Sequence, residues 1–286
     1  MTNPTTQSLS AVTAADGKER LVQARYRDGQ GPAHLRWNET LSVLAAHRSV
    51  RAYKPDLLPE GTLETLVLAA QSAATSSNLQ TWSVVAVTDP ARKAVLAEVA
   101  GGQKHIMQAP LMLVWLADLS RLKAMAERRG QAAEGLDYLE MATVAIIDAA
   151  LAAQNAVIAA ESLGLGTVYI GALRNDPGRV ATLLDLPEMA FAVFGLCVGF
   201  PVDEVVTGVK PRLAPEVVLH RETYGQSADP EAIARYDAAM QEFQGEQAMR
   251  RQPWSDQALA RVADARSLSG RDVLARVLNE RGFRLR

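Results

Sequence analysis

The sequence predicts an α+β domain built on one sheet with helices on both of its sides. Four short apolar runs, at 82–88, 111–117, 167–170 and 191–198, read as buried strands. Helical periodicities interleave irregularly with them. The stretch from Met141 to Leu163 runs without Gly or Pro and is rich in Ala, Leu and Ile, which makes it one helix roughly 34 Å long. That helix is apolar around most of its circumference, so it must be covered on several sides, inside a domain or at a subunit interface. Asp148, Gln154, Asn155 and Glu161 interrupt its apolar surface and argue against a membrane span.

With 286 residues the chain can bury a sizeable core in one or two domains, and its 48% hydrophobic and 22% charged residues are those of an ordinary globular protein. A formal charge of −2 gives no global electrostatic case for nucleic acid or an anionic membrane, so any anion site must be local. The polar opening residues lack the apolar core of a signal peptide, and the single Cys197 provides no disulfide framework. An intracellular, cytoplasmic protein is expected. Four His and one Cys give no metal signature.

In chain order, residues 1–40 form a polar N-terminal extension to which the residue pattern assigns no chemistry. A short helix over 38–46 runs into His47-Arg48-Ser49-Val50-Arg51, three potential cations in five residues. Guanidinium forks bind phosphate oxygens and Ser49 adds a hydroxyl donor; a solvated basic turn is the competing reading. Pro59-Glu60-Gly61-Thr62 starts the next helix, which ends at Ala74-Thr75-Ser76-Ser77-Asn78-Leu79-Gln80-Thr81. Such neutral hydrogen-bonding groups suit the polar edge of a heterocycle, or equally a loop that caps its own backbone.

A helix over 92–99 leads to Gly101-Gly102-Gln103-Lys104-His105, and the mixed charges of 119–139 mark an exposed helix or a lid. After the long helix, Gly164 supplies the positive φ that closes it. The strand through Tyr169 turns at Gly171-Ala172, a backbone that lets a flat ligand approach. A short helix over 177–184 precedes the last strand, where Cys197 reads as a small buried hydrophobe rather than a nucleophile. Lys210-Pro211-Arg212 holds two more cations in an extended geometry. From Asp229 onward the chain is largely helical and polar. No P-loop, Gly-x-Gly-x-x-Gly strand–helix turn or Gly-x-Ser-x-Gly occurs in the sequence.

What remains is an anion clamp, a neutral polar loop and a Gly-containing turn. His47-Arg48-Ser49-Val50-Arg51, Gly101 to His105, Ala153-Gln154-Asn155 through Arg174-Asn175, Gly195-Leu196-Cys197-Val198-Gly199 and Lys210-Pro211-Arg212-Leu213 recur in this order and spacing in a known family. The chain resembles the flavin-dependent nitroreductase superfamily over roughly residues 44–284, in its branch of NADPH nitroreductases and NADPH–flavin oxidoreductases. The resemblance implies a central mixed sheet flanked by helices and an intertwined homodimer with the long helix at its interface. It also implies a core over 41–228 and a helical C-terminal extension over 229–286, packed on the core or on the partner subunit.

By the same resemblance FMN binds at the dimer interface. His47, Arg48, Ser49 and Arg51 would hold its ribityl and phosphate end, joined by Lys210 and Arg212. Thr75, Ser76, Asn78 and Gln80 would lie along the isoalloxazine or ribityl chain, Gln103 would be a further contact, and Tyr169, Ile170, Gly171 and Ala172 would pass the ring edge. The implied activity is two-step hydride transfer from NADPH or NADH through the flavin to a nitroaromatic, a quinone or free flavin, with no catalytic side chain and no metal. A flavin-binding sensor or carrier and a specialised flavin enzyme are the alternatives. The segment 243–251 is shorter than the family's corresponding loop, and Arg250 and Arg251 are candidates for the nicotinamide phosphate. The extension before Leu41 has no counterpart in the family.

Overall fold

The computed structural model describes residues 14–27, 29, 31–225 and 229–286; positions 1–13 of the expected extension lie outside the described residues. In chain order the elements are α1 (Ala14–Arg25), α2 (Glu39–Ala45), α3 (Thr62–Gln71), β1 (Trp82–Val87), α4 (Pro90–Val99) and α5 (Lys104–Gln108). They continue with β2 (Leu111–Asp118), α6 (Ser120–Arg129), α7 (Leu139–Ser162), β3 (Gly166–Ile170), α8 (Pro177–Leu183) and β4 (Ala190–Gly199). The last are α9 (Pro215–Val218), α10 (Pro230–Glu246), α11 (Trp254–Arg261) and α12 (Leu274–Glu280).

The chain divides into two compact units, one formed by residues 1–48 and 206–261 and the other by 49–205 and 262–286. The second unit holds the sheet, in the order β1-β2-β4-β3. Every strand pair in it is antiparallel, and the parallel component of the expected mixed sheet is one bridge, Ser49 to Thr167. β2 is buried along its whole length because both of its faces are covered. Met112, Val114 and Leu116 enter one cluster with Leu96, Ile106 and Val180 from α4, α5 and α8. Leu111, Leu113 and Trp115 point the other way, into a cluster with Leu66 and Ala70 of α3 and with Ala152, Ala153, Ala156 and Ala160 of α7. Helices on both sides of one sheet, as expected, follow from this alternation.

The small side chains of α7 let α3 approach closely, and Asn155 fastens the pair by donating from Nδ2 to the Ala69 carbonyl at 3.1 Å. By length and composition α7 could cross a membrane, but half of its apolar window is buried inside the fold. Its other side carries exposed Leu139, Ile146, Ile147 and Leu151. α12 and the C-terminal tail belong to this second unit, where Phe283 sits edge-on to Phe191 at 5.5 Å between centroids.

Helix starts follow from a repeated pair. Asp89-Pro90 and Asp176-Pro177 open α4 and α8, each Asp accepting the backbone N–H three residues on, at 2.8 and 2.9 Å. Proline at the first helical position carries no N–H to satisfy, and such a cap stabilises by about 1 kcal/mol. In the first unit Asp229-Pro230 opens α10 in the same way. That unit has its own small core of Tyr236, Met240 and Phe243, packed with Leu213 and Trp254.

Candidate functional site

The candidate residues fall into a group in each unit. In the first unit, α2 ends at Ala45 and delivers His47 and Arg48, while an extended strip delivers Lys210 and Arg212. Pro211 is buried and its two cationic neighbours are exposed, with the Arg212 Nη1 donating back to the Pro211 carbonyl at 3.1 Å. The Arg48 Nε donates to the Thr207 hydroxyl at 3.0 Å, which places this cation beside the start of that strip. The strip is held from below by the Tyr236 hydroxyl, which donates to the Pro211 carbonyl at 3.1 Å. Burial pushes the Tyr236 phenol above its ordinary range, so it stays a donor.

A residue outside the expected set joins these pieces. Arg25, the last residue of α1, donates from Nη1 to the Lys210 carbonyl at 2.8 Å and from Nη2 to the Ala45 and His47 carbonyls at 3.0 and 3.3 Å. Its own carbonyl accepts the Arg212 N–H at 2.9 Å. The extension, read from sequence as carrying no chemistry, thus organises both cationic segments. Arg250 and Arg251 are exposed in the segment after α10. A methyl group on Gly245 would lie 2.4 to 2.8 Å from the Arg251 guanidinium, so that side chain rests against the glycine.

In the second unit Ser49 bridges to Thr167, and the Val50 N–H donates to the Thr167 carbonyl at 2.9 Å. Gly166 permits this approach, since an added Cβ would meet Val50 at 2.6 to 2.9 Å. Arg51 is exposed, and its charge acts on His105, whose imidazole is pushed below its ordinary pKa first by burial and then by that cation. Among the described residues the buried His105 Nε2 has no hydrogen-bond partner. Gln103 caps α5, and its amide donates to the Ala100 carbonyl at 2.9 Å rather than pointing outward.

The neutral loop is built around a residue of α7. Asp148, 1% exposed, accepts the Thr75 hydroxyl at 2.5 Å, the Ser76 N–H at 3.1 Å, and the Thr81 N–H and hydroxyl at 3.1 and 3.0 Å. The Gln80 N–H in turn donates to the Thr75 hydroxyl at 2.9 Å. So held, the loop carries three non-glycine residues at left-handed φ: Ser77 at 48°, Asn78 at 53° and Gln80 at 53°. Each such residue costs about 1 kcal/mol or more, which the four bonds to one carboxylate offset. Thr75, Asn78 and Gln80 then line a cleft of about 400 Å³ with Trp82 and Arg121. Arg121, from the charged segment expected to be an exposed helix or lid, closes on this loop by donating to the Gln80 carbonyl at 2.9 Å.

Tyr169 is half-exposed at the end of β3, edge-on to Phe194 at 5.0 Å, and its hydroxyl lies 3.4 Å from Gln154 Oε1. Burial of its phenol end, with Glu161 nearby, raises its pKa well above the ordinary value. Ile170 is buried, and Gly171 and Ala172 open a tight 3-10 turn, Gly171–Asn175. Under the turn the Arg174 guanidinium folds back beneath Gly171 and donates to the Val193 carbonyl. Cys197 is fully buried and its thiol is pushed up to about 12 by that burial, which makes it a packing residue.

Sequence reasoning assigned no site role to Asp148, Thr81, His105 or Arg25. Asp148 had a signal, an acid in the middle of an Ala-rich helix; Arg25 had none, being one charge among many in a polar segment.

Comparison with known proteins adds a second line of argument. Residues 44–200 match the Nitroreductase family and residues 210–286 match the Nitroreductase family, C-terminal domain. The chain is 40% identical over 227 residues to the FMN reductase (NADPH) of Bacillus subtilis, covering 78% of this chain and 90% of that one. It is 39% identical over 221 residues to the oxygen-insensitive NADPH nitroreductase of Salmonella typhimurium, covering 76% and 88%. Among solved structures, the NADPH:FMN oxidoreductase from Vibrio harveyi complexed with NAD+ superposes with a TM-score of 0.77 at 33% identity, over 87% of this chain and 100% of that one.

Proposed function

The chain belongs to the nitroreductase family, and from that premise we propose that it is an FMN-dependent NAD(P)H oxidoreductase whose acceptors are nitroaromatics, quinones or free flavin. The relatives named above as an FMN reductase and an NADPH nitroreductase support the cofactor, the donor and the two-electron chemistry.

The residues fit the group. Lys210 and Arg212, exposed on either side of buried Pro211, carry the reading most directly, because two cations on a strip whose Lys210 and Pro211 carbonyls are held by hydrogen bonds suit a phosphate. His47, Arg48, Ser49 and Arg51 would complete that end. Within the second unit the unpartnered His105 Nε2, on whose ring the Arg51 charge acts, is one more polar atom in search of a partner. Neutral Ser76, Asn78 and Gln80, with the backbone of Ile170, Gly171 and Ala172, would meet the ring and ribityl chain. The Thr75 hydroxyl and the Gln103 amide, both spent internally, act by shaping the loops that carry them.

FMN, when bound, would supply the hydride exchange between donor and acceptor. The protein's part is to orient the phosphate with cations, to offer uncharged hydrogen-bond groups to the heterocycle, and to present Arg250 and Arg251 to a nicotinamide 2′-phosphate. The exposed apolar stripe of α7, Leu139, Ile146, Ile147 and Leu151, supports a homodimer through that helix. A nicotinamide donor supports a cytoplasmic enzyme.

The test is the absorbance spectrum of the purified protein, followed by anaerobic NADPH and, separately, NADH. Flavin bands that bleach, and turnover with a quinone, are expected. A colourless protein that takes up no added FMN overturns the reading.

A further inference from the structure

We infer that Arg25, at the end of α1, is a positioning residue that sets the spacing of the flavin-phosphate clamp. The inference rests on the functional reading above and assigns to the N-terminal extension a task within it. The family match begins at residue 44, so α1 lies wholly outside it.

The argument starts from what a phosphate needs. Cations on flexible stems bind it tightly only when their main-chain anchors are fixed, because each long side chain ordered on binding costs entropy. The clamp's first-unit cations come from segments about 160 residues apart, Arg48 after α2 and Lys210 with Arg212 in the later strip. One guanidinium spans both. Its Nη1 holds the Lys210 carbonyl at 2.8 Å, and its Nη2 holds the carbonyls of Ala45 and His47 at 3.0 and 3.3 Å. The Arg25 carbonyl accepts the Arg212 N–H at 2.9 Å, so side chain and main chain grip opposite ends of the same strip. A planar fork is the one side chain that can do this, since its donors diverge at fixed angles; an ammonium has a single point of attachment. α1 is itself anchored in the unit, because Arg27 forms a bidentate pair with Glu246 of α10, both contacts at 2.7 Å, and lies over the Phe243 ring.

A residue that positions the phosphate end should alter affinity for flavin with a phosphate and leave flavin without one almost untouched. The experiment is titration of the flavin-stripped full-length protein with FMN and with riboflavin, for the wild type, Arg25→Gln, Arg25→Lys and the control Arg20→Gln, an exposed charge on the same helix. Arg25→Gln is expected to weaken FMN about tenfold or more, with riboflavin changed by less than about threefold. Arg25→Lys should fall between the wild type and Arg25→Gln, and Arg20→Gln should keep the wild-type FMN-to-riboflavin ratio. An unchanged ratio in folded Arg25→Gln overturns the inference while leaving the flavin reading intact. If Arg25→Gln does not fold, Arg25→Lys decides: a ratio lowered at least threefold supports the role and an unchanged ratio removes it. A wild type that binds neither flavin takes down both readings.

Discussion

The Asp148 carboxylate and the Thr75 hydroxyl meet at 2.5 Å, joining the middle of α7 to the first turn of the polar loop 75–81. Because the same carboxylate also holds Ser76 and Thr81, Asp148→Ala strands four donors at once. A loss of at least about 2 kcal/mol in urea-denaturation stability is expected, with looser FMN binding through the released left-handed residues. Unchanged stability would show that the loop is held by other contacts.

Arg48→Ala and Arg51→Ala should each weaken FMN retention by about 1.5–3 kcal/mol, the value of a charge-assisted bond to a buried phosphate. Fluorescence titration measures this directly. Full retention in both variants removes the phosphate assignment.

Gly245→Ala places a methyl group where the Arg251 guanidinium now lies. The side chain is flexible and moves away, so stability should change by less than about 1 kcal/mol. If Arg251 contacts the nicotinamide 2′-phosphate, kcat/KM for NADPH falls several-fold while that for NADH holds, and Arg251→Ala reproduces the pattern. Equal effects on both donors reject the contact.

Burial and the Arg51 charge lower the His105 pKa in the fold, so the unfolded chain binds the proton more readily. The neutral ring contributes its full stability above the ordinary imidazole value of about 6.5, and that contribution is lost as pH falls below it. Melting temperatures from pH 8 to pH 5 should therefore drop more steeply for the wild type than for His105→Asn. Parallel curves would mean that the imidazole does not contribute.

Ile147→Lys puts a charge in the exposed apolar stripe of α7. If α7 forms the homodimer proposed above, sedimentation should show this variant shifted toward monomer, with loss of bound FMN. A variant that stays dimeric excludes α7 as the interface.

The four strands were legible to within one residue at each end, because β-branched apolar runs have few other uses. Helix α4 starts at Pro90 rather than at Arg92, since the Asp89-Pro90 pair pins its first turn. The neutral groups of the loop at 75–80 were visible as composition, but their common anchor, Asp148, lies some 70 residues away. Sequence periodicity reports which face a residue occupies, and it carries no record of which partner it meets there. Arg25 shows the same limit more sharply: its contact with Lys210 spans 185 residues, and nothing local distinguishes it from Arg20 or Arg27.

The two units are interleaved along the chain, the first being completed by residues 206–261 only after the second has largely been made. On the ribosome, at about 5–20 residues per second, α1 and α2 therefore wait roughly 10–30 s before the strip that Arg25 grips has been synthesised. That interval is the time in which the sheet is synthesised, its last strand ending at Gly199 just before the strip, and until then the N-terminal helices have no finished neighbour of their own unit. Neither unit corresponds to a contiguous stretch of gene, so truncation at the N-terminus cuts into the first unit and truncation at the C-terminus into the second.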